Sequence, residues 1–234
     1  METSLHRQLK ALYCADIEFT GPSRQEVRVD GFRIDAVHRG RLIEIQQASL
    51  GALRHKVRTL LDNHDVMVVK PLVARKLLVR RKRAGGAVLS TRYSPRRETI
   101  VDIFSDLVHF VDVFPHPRLT LEVVFTLQEE HRAPARKRRW RSPDFRVIDR
   151  LLVGIEGRLT LKRPNDLARL LPAGLAEVFS TEEIARQAHM PRWLAQKMAY
   201  CLRKTGAVKI AGKRGNTMLY QLSEPQSETS RRTA

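Results

Sequence analysis

The pattern of apolar and polar positions in the first third of the chain predicts one helix followed by three short strands. Apolar residues at helical spacing predict a helix over residues 3–13, and residues 25–29 predict a first strand. Asp30-Gly31 is typical of a turn, and it leads into two further apolar runs, 32–37 and 42–46. Both runs are rich in β-branched residues, so they predict the two strands of a hairpin.

A second helix and another strand follow this hairpin. Residues 49–61 have the spacing of an amphipathic helix, and residues 66–69 have the composition of a buried strand. The order strand, helix, strand predicts a right-handed crossover. A sheet that contains such a crossover is in part parallel and is covered by helices.

The predicted hairpin brings acidic residues together. With a two-residue loop at Arg39-Gly40, Asp35 pairs with Glu44, and strand alternation puts Gln46 on the same face. Carboxylates so opposed lie about 5 Å apart and repel each other unless a cation lies between them or one is protonated. One interpretation is a solvated hairpin face. We favour a metal site, because the crossover makes a solvated face less expected for Glu44.

The remainder of the first domain follows from weaker patterns. Residues 77–79 predict a further strand after Pro71, residues 99–113 a second covering helix, and residues 119–127 another strand. We therefore predict an α/β domain, a mixed sheet flanked by helices, over residues 1–128. A basic linker is predicted over 129–144.

Composition narrows the choice of partners. The chain has 234 residues, with 43 lysines and arginines against 25 acidic residues, a formal charge of +18. Such an excess favours a polyanion, with nucleic acid ahead of an anionic membrane surface. No apolar run approaches a membrane span and no secretion signal precedes the first helix, so we expect a cytoplasmic protein without a membrane partner.

Two basic runs are candidate phosphate contacts: Arg80, Arg81, Lys82 and Arg83, and Arg136, Lys137, Arg138 and Arg139. The alternative for the linker run is a solvated loop that keeps the protein soluble.

The C-terminal pattern predicts a smaller domain over residues 145–223. Ser180 and Glu183 form a capping box, Pro191 opens a helix that runs to Lys204, and two strands follow around a basic turn. This order is that of a winged helix-turn-helix domain, which binds DNA or, alternatively, serves protein contacts or dimerisation. The predicted DNA contacts are Arg192, Gln196, Lys197 and Arg203 on the recognition helix and Lys213 and Arg214 at the wing. Residues 224–234 are predicted to be a disordered tail.

The segment from Asp35 through Glu44 and Gln46, with its helix before and its crossover after, resembles the core of the PD-(D/E)XK nuclease superfamily, and the chain is similar to bacterial families that join such a core to a winged helix. The resemblance implies a restriction-endonuclease-like fold and a Mg²⁺ or Mn²⁺ ion held by Asp35 and Glu44. It places Gln46 where the superfamily has a lysine. It also makes Glu2 similar to the acid that many members carry on the first helix, with Glu26 competing for that role.

The implied activity is hydrolysis of phosphodiester bonds, in DNA ahead of RNA. Gln46 can orient a water molecule but cannot act as a base at neutral pH. Lys56, one turn into the crossover helix, could take the part of the missing lysine. The alternative is a nuclease-like DNA-binding protein that has lost catalysis. A purely structural protein would leave the opposed acids unexplained, and a homodimer stays open.

Overall fold

The computed structural model describes residues 3–15, 23–135 and 144–223. The chain divides into two compact units. Unit 1 comprises residues 1–100 and 118–160, and unit 2 comprises 101–117 and 161–234. Within the described residues no helix is long and apolar enough to cross a membrane.

Unit 1 is an α+β structure in which helices flank a mixed sheet of seven strands. The helices are α1 (Ser4–Ala15) and α2 (Arg54–Leu60), and a 3₁₀ turn over Leu50–Leu53 leads into α2. The strands are β1 (Ser23–Val29), β2 (Phe32–His38), β3 (Arg41–Ile45), β4 (Val66–Arg81), β5 (Val88–Tyr93), β6 (Leu119–Pro134) and β7 (Phe145–Leu161). Their order is β1-β2-β3-β4-β6-β7, and β5 pairs with the second half of β4.

Two tight turns set the register of the first three strands. Asp30 and Gly31 both have positive φ, as do Arg39 and Gly40. Positive φ at both loop residues defines the type I′ turn, whose twist matches that of the strands it joins. The β2–β3 ladder pairs Val37 with Leu42, as the sequence predicted.

The predicted strand–helix–strand connection between parallel strands is confirmed. β4 runs parallel to β3 and then parallel to β6 over most of its length. The two strands predicted over residues 66–69 and 77–79 are one strand, because β4 continues through Pro71. The Val69 carbonyl accepts from the Gln46 N–H, so Pro71, two residues on, points to the same side beyond the end of β3. No neighbouring carbonyl of β3 requires a donor there.

Helix α1 is anchored to the sheet by an apolar stripe. Leu5, Leu9 and Tyr13 are buried against a cluster that includes Ile43 and Ile45. Emptying such a site, as in Leu9→Ala, costs about 2–5 kcal/mol. The site described below therefore rests on a fixed helix and a fixed sheet.

Unit 2 contains short helices and a three-stranded antiparallel sheet. Its helices are α3 (Phe104–Leu107), α4 (Pro164–Ala168), α5 (Thr181–Gln187) and α6 (Arg192–Lys204), and its strands are β8 (Val178–Ser180), β9 (Val208–Arg214) and β10 (Thr217–Leu222), in the order β8-β10-β9. The capping box is confirmed: the Ser180 hydroxyl accepts from the Glu183 N–H at 3.3 Å, and the Glu183 carboxylate accepts from the Ser180 N–H at 2.6 Å.

The prediction of one covering helix over residues 99–113 is wrong. The segment is a 3₁₀ turn over Ile100–Ile103, the single turn of α3 and further turns, and most of it belongs to unit 2. Phe104, Leu107 and Phe110 are fully buried, and α3 packs against α6. The helical spacing reflected burial of one side, which a series of turns also provides.

The division of the chain also differs from the predicted one. Strand β6 continues to Pro134, past the predicted domain end at residue 128, and β7 begins at Phe145 and belongs almost entirely to unit 1. Only part of the predicted linker, residues 136–143, lies outside the described residues, as does the predicted tail.

Candidate active site

Three acidic residues lie side by side on β1, β2 and β3. Continued through position 26, where the β1–β2 ladder is interrupted and Glu26 has a φ of 57°, the register of β1 on β2 places Glu26 across from Asp35. Continued one residue beyond the Ala36–Ile43 pair, the register of β2 on β3 places Asp35 across from Glu44. We call these three residues the acidic row. The opposition of Asp35 and Glu44 agrees with the predicted hairpin.

Asp35 and Glu44 take part in the strand pairing itself. The Asp35 carboxylate accepts from the Ile45 N–H at 2.8 Å, and the Asp35 N–H lies 3.4 Å from Oε1 of Glu44. Each carboxylate therefore bonds a backbone N–H across the hairpin, beyond the last backbone pair at Ala36. These bonds fix both side chains relative to the sheet.

A basic side chain from a helix accompanies each acid of the row. His6 on α1 has its Nε2 3.1 Å from the Asp35 carboxylate, and Lys56 on α2 has its Nζ 2.5 Å from Oε1 of Glu44. Lys10, one turn after His6, forms an ion pair with Glu26. The repulsion predicted for opposed acids is thus offset by cations of the protein.

The two central acids differ in acidity. Burial raises the pKa of Asp35, but hydrogen bonds from His6 and from the Ile45 N–H outweigh it, so this pKa lies below its ordinary value. Burial also raises the pKa of Glu44, whose side chain is only 5% exposed. Lys56 opposes that shift and Asp35 adds to it, and the net pKa of Glu44 is raised.

An open cleft lies beside the acidic row. Its volume is about 440 Å³, and it is lined by Thr3, His6, Lys10, Glu26, Arg33, Asp35 and Gln47. Asp35 is one-fifth exposed here, so its carboxylate is accessible to a ligand in the cleft. The cleft carries both signs of charge, and Asp35 and Glu26 of the acidic row line it whereas Glu44 does not.

The structure brings some predicted site residues together and separates others. Lys56 reaches Glu44, and Glu26 lies in the row, but the Gln46 side chain donates to the Ser49 carbonyl at 2.7 Å. Glu2 lies outside the described residues. Sequence reasoning missed His6, because only tertiary packing brings α1 to Asp35.

A buried lysine supports the loop that follows β3. Lys70 is 4% exposed and donates to the carbonyls of Gln47 and Ala48. These bonds satisfy its charge and hold Gln47 at the cleft wall. The sequence contains no local signal for this contact, since Lys70 comes from the next strand.

The oxygen donors of the acidic row meet part of what a divalent ion needs. Among the described residues, no group of three or more histidines, cysteines or acids is arranged to hold a metal. Two adjacent carboxylates do fit Mg²⁺, which proteins commonly bind through one or two carboxylates with water and substrate oxygens completing the shell. Asp35 and Glu44 provide such a pair.

The predicted nucleic-acid contacts in unit 1 have different surroundings. Arg80, Lys82 and Arg83 are exposed, whereas Arg81 is half-buried and donates to His131 Nδ1 and to the Gly86 carbonyl, both at 2.9 Å. Arg81 thus holds the end of β4 in place, and its role as a phosphate contact stays a prediction. Residues 136–139 lie outside the described residues.

In unit 2, the predicted contacts occupy one side of α6 and the β9–β10 hairpin. Arg192, Gln196, Arg203 and Lys213 are exposed, Lys197 is half-buried, and Arg214 lies 3.6 Å from Glu183. Two aromatic residues that were not predicted share the exposed side of α6. Trp193 is 52% exposed with Lys197 over its ring at 5.2 Å, and Tyr200 is 38% exposed. Their i, i+7 spacing on the exposed side was the available signal.

Comparison with known proteins gives a family. A family model described as "Domain of unknown function (DUF8091)" matches residues 3–162, a range that contains nearly all of the described part of unit 1. An "Uncharacterized protein" of Treponema pallidum (strain Nichols) is 32% identical over 232 residues, which covers 98% of this chain and 88% of the relative. No solved structure matches. Since the family model covers well over half of the sequence, the chain belongs to the family of the domain of unknown function DUF8091.

Proposed function

We propose that this protein is a metal-dependent nuclease that hydrolyses phosphodiester bonds of DNA. The observation that carries the proposal is the position of Lys56, whose Nζ lies 2.5 Å from Glu44, the acid opposite Asp35. Two acids and a lysine make up the PD-(D/E)XK site, and Gln46, directly after β3, leaves that set without its lysine. Lys56 supplies the missing charge from the neighbouring helix.

The order of elements supports the same proposal. A helix, a three-stranded meander, a crossover helix and a parallel strand make up the restriction-endonuclease-like core that the resemblance implies, and α1 through β4 follow that order. The acids lie on the second and third strands, where that core carries its site. Fold likeness alone does not establish function, so the proposal rests on the site.

Asp35 and Glu44 would hold Mg²⁺ or Mn²⁺ through their carboxylates. When bound, such an ion activates water and offsets negative charge on the phosphate under attack. The raised pKa of Glu44 means that the nearby positive charge of Lys56 does not fully offset the cost of burying the ionised carboxylate. A divalent cation would supply that charge.

The chain's own side chains have separate tasks in this proposal. Lys56 is held by Glu44 and by the Arg33 carbonyl, so its remaining N–H can donate to a phosphate oxygen or to the attacking water. His6 holds the Asp35 carboxylate through Oδ1 while Ile45 holds it through Oδ2. Gln46 donates to Ser49 and supports the turn.

Unit 2 would deliver the substrate as a winged helix. Helix α5, helix α6 and the β9–β10 hairpin follow the winged-helix order, with a short third strand at β8. The exposed side of α6 alternates cations with Trp193 and Tyr200, a combination suited to phosphates and to bases. Exposed aromatics add contacts that charge alone does not provide.

A second candidate function is a DNA-binding protein with an inactive nuclease-like core. The observation that favours it is the pairing of both central acids, Asp35 with His6 and Glu44 with Lys56. Such pairs neutralise the site without a metal, as a purely structural cluster would. The two candidates make the same prediction for DNA binding and opposite predictions for cleavage.

The test is incubation of the purified chain with supercoiled, linear, branched and single-stranded DNA and with RNA, with Mg²⁺, Mn²⁺ or EDTA. We expect divalent-dependent cleavage that Asp35→Ala and Glu44→Ala each abolish while DNA affinity is unchanged. Glu156→Ala, an exposed acid on β7, is the matched control and should cleave normally. Absence of cleavage on every substrate would overturn the enzyme and leave the DNA-binding candidate.

A further inference from the structure

A second surface of unit 1 combines strong positive charge with an exposed edge strand of the sheet. Residues 66–97 contain ten lysines and arginines and no acidic residue. The second half of β4, the loop after it and β5 form a hairpin within this segment, which we call the basic arm and define as residues 75–93. Every residue of β5 is exposed.

Some cations of the basic arm are used within the protein. Arg81 donates to His131 and to the Gly86 carbonyl, and Lys76 lies 3.3 Å from buried Glu130. The Arg75 guanidinium lies 3.9 Å from the centre of the Tyr93 ring, across the two strands. These contacts fix the conformation of the hairpin.

Other cations of the basic arm point to solvent. Arg80, Lys82, Arg83 and Arg92 are exposed, and none of them forms an ion pair with a residue that the structure describes. Arg80 pairs with Ser90, so Arg92, two residues along β5, lies on the same face of the hairpin. Like charges at this diagonal spacing repel each other unless an anion lies between them.

Protection of an exposed sheet edge would explain part of this charge. Charged side chains on an edge strand prevent pairing with other chains. Protection is equally served by mixed charges, however, and the basic arm has one sign only. A surface of one sign in a chain of +18 attracts polyanions.

The path of β4 relates the basic arm to the acidic row. Val68 of β4 pairs with Glu44, and Arg80 lies twelve residues further along the same strand. At about 3.3 Å per residue, less the shortening at the bulge near Val73, the separation along the strand is roughly 35–40 Å. One turn of B-DNA spans about 34–36 Å.

We infer that the basic arm binds the phosphate backbone of duplex DNA about one helical turn from the bond that the acidic row cuts. The inference rests on the proposed nuclease function for the position of the cut, while the binding itself does not. β5 is an edge strand of the sheet, with β4 between it and β6, so the exposed side chains of this edge make the contact. Duplex DNA is favoured over single strands because only a stiff substrate spans both surfaces at a fixed distance.

Binding is tested with the full chain carrying Asp35→Asn, which prevents cleavage, and a fluorescent 40-base-pair duplex at 50–200 mM salt. Adding Arg80→Ala and Arg83→Ala should lower affinity at least tenfold at 100 mM salt. It should reduce the slope of log affinity against log salt by about 1.8, because each lost phosphate contact contributes about 0.9.

The matched control is Lys162→Ala with Arg169→Ala, which removes two exposed cations outside the basic arm and outside α6. It should change the slope by less than half as much. Equal effects of the two double variants, at unchanged melting temperature, would overturn the basic arm. If the variant with Arg80→Ala and Arg83→Ala lost binding to anionic phosphatidylserine vesicles but kept its DNA affinity, the DNA assignment would also be overturned, in favour of a membrane surface.

The position of the cut separates this inference from the proposed function. On an end-labelled duplex, the parent should make no cut within about ten base pairs of the end, because the basic arm needs duplex beyond the cut to bind. The variant with Arg80→Ala and Arg83→Ala should cut closer to that end. Cleavage without any exclusion would overturn the stated distance and leave the nuclease intact. Arm-dependent binding without cleavage would overturn the nuclease and leave the DNA contact.

Discussion

Glu44 and Glu130 are buried in the same sheet, at 4% and 3% exposure, yet their surroundings change their acidity in opposite directions. Glu130 on β6 meets Lys76, Arg132 and Arg150, each within 3.3 Å. Burial opposes its ionisation, but hydrogen bonds from the two arginines outweigh it and lower the pKa of Glu130 from 4.5 to about 2. Glu130 thus links three strands, and the three cations offset its negative charge.

Glu44 has one lysine and an acidic neighbour, so its charge is compensated only in part. Its pKa is raised, with burial as the main cause and Asp35 as a contributor. A structural ion cluster supplies all the charge that an acid needs, whereas a site for a cation or a phosphate-bound ion leaves a deficit. The comparison favours a stabilising role for Glu130 and is consistent with the functional role proposed for Glu44.

The largest effect that would break this comparison concerns stability. Glu130→Gln should lower the free energy of unfolding by roughly 3 kcal/mol, because three cations lose their buried partner. Urea denaturation measures the change. Glu129→Gln, the half-exposed neighbour, is the control and should change stability by about 0.5 kcal/mol or less. An equally small loss for Glu130→Gln would refute its structural role.

The next effect concerns catalysis. Lys56→Ala should slow divalent-dependent cleavage about a hundredfold or more, equivalent to about 2.7 kcal/mol in the barrier. Its melting temperature should also fall, because Glu44 is 5% exposed and loses its cationic partner, so cleavage is measured below the melting temperature of the variant. Adding Gln46→Lys in that background should restore part of the rate. Unchanged cleavage by Lys56→Ala would remove the lysine from the proposed site.

Local signals in the sequence predicted the acidic row better than its partners. The loop at Arg39-Gly40 fixed the opposition of Asp35 and Glu44, and the same reasoning applied to Asp30-Gly31 would have placed Glu26 opposite Asp35. Turn chemistry determines register over a few residues, so such pairings are accessible from sequence.

Contacts between distant segments were not accessible. His6 reaches Asp35 from another element, and Lys70 supports a loop more than twenty residues earlier. The segment 99–113 has the apolar spacing of a helix but forms turns buried in unit 2. The apolar spacing predicts only that one side of the segment is buried. Whether the backbone forms a helix or a series of turns depends on tertiary packing.

A third effect concerns the metal. Millimolar Mg²⁺ or Mn²⁺ should raise the melting temperature, with a stabilisation of about 1.4 kcal/mol at tenfold excess over Kd. Asp35→Asn should remove the response. Its metal-free stability should be somewhat below that of the parent, because the lowered pKa of Asp35 means that His6 and the Ile45 N–H stabilise the ionised carboxylate. Glu156→Gln is the control, and an identical metal response in Asp35→Asn would exclude this site.

The smallest effect is the most specific, because Glu44 and Glu130 should give pH dependences of opposite sign. The native pKa of Glu130 is lowered, so its contribution to stability is present above pH 4.5 and is lost as the pH falls towards 2. The native pKa of Glu44 is raised, so the folded state binds its proton more tightly and stability is lost as the pH rises above 4.5.

Glu44→Gln should therefore gain stability relative to the parent as the pH rises above 4.5. The gain should be about 1 kcal/mol or less, since Lys56 opposes the shift. Urea denaturation at half-unit steps from pH 3 to 7 measures both variants, and a Glu44→Gln curve that follows the Glu130→Gln curve would make Glu44 a second structural ion pair.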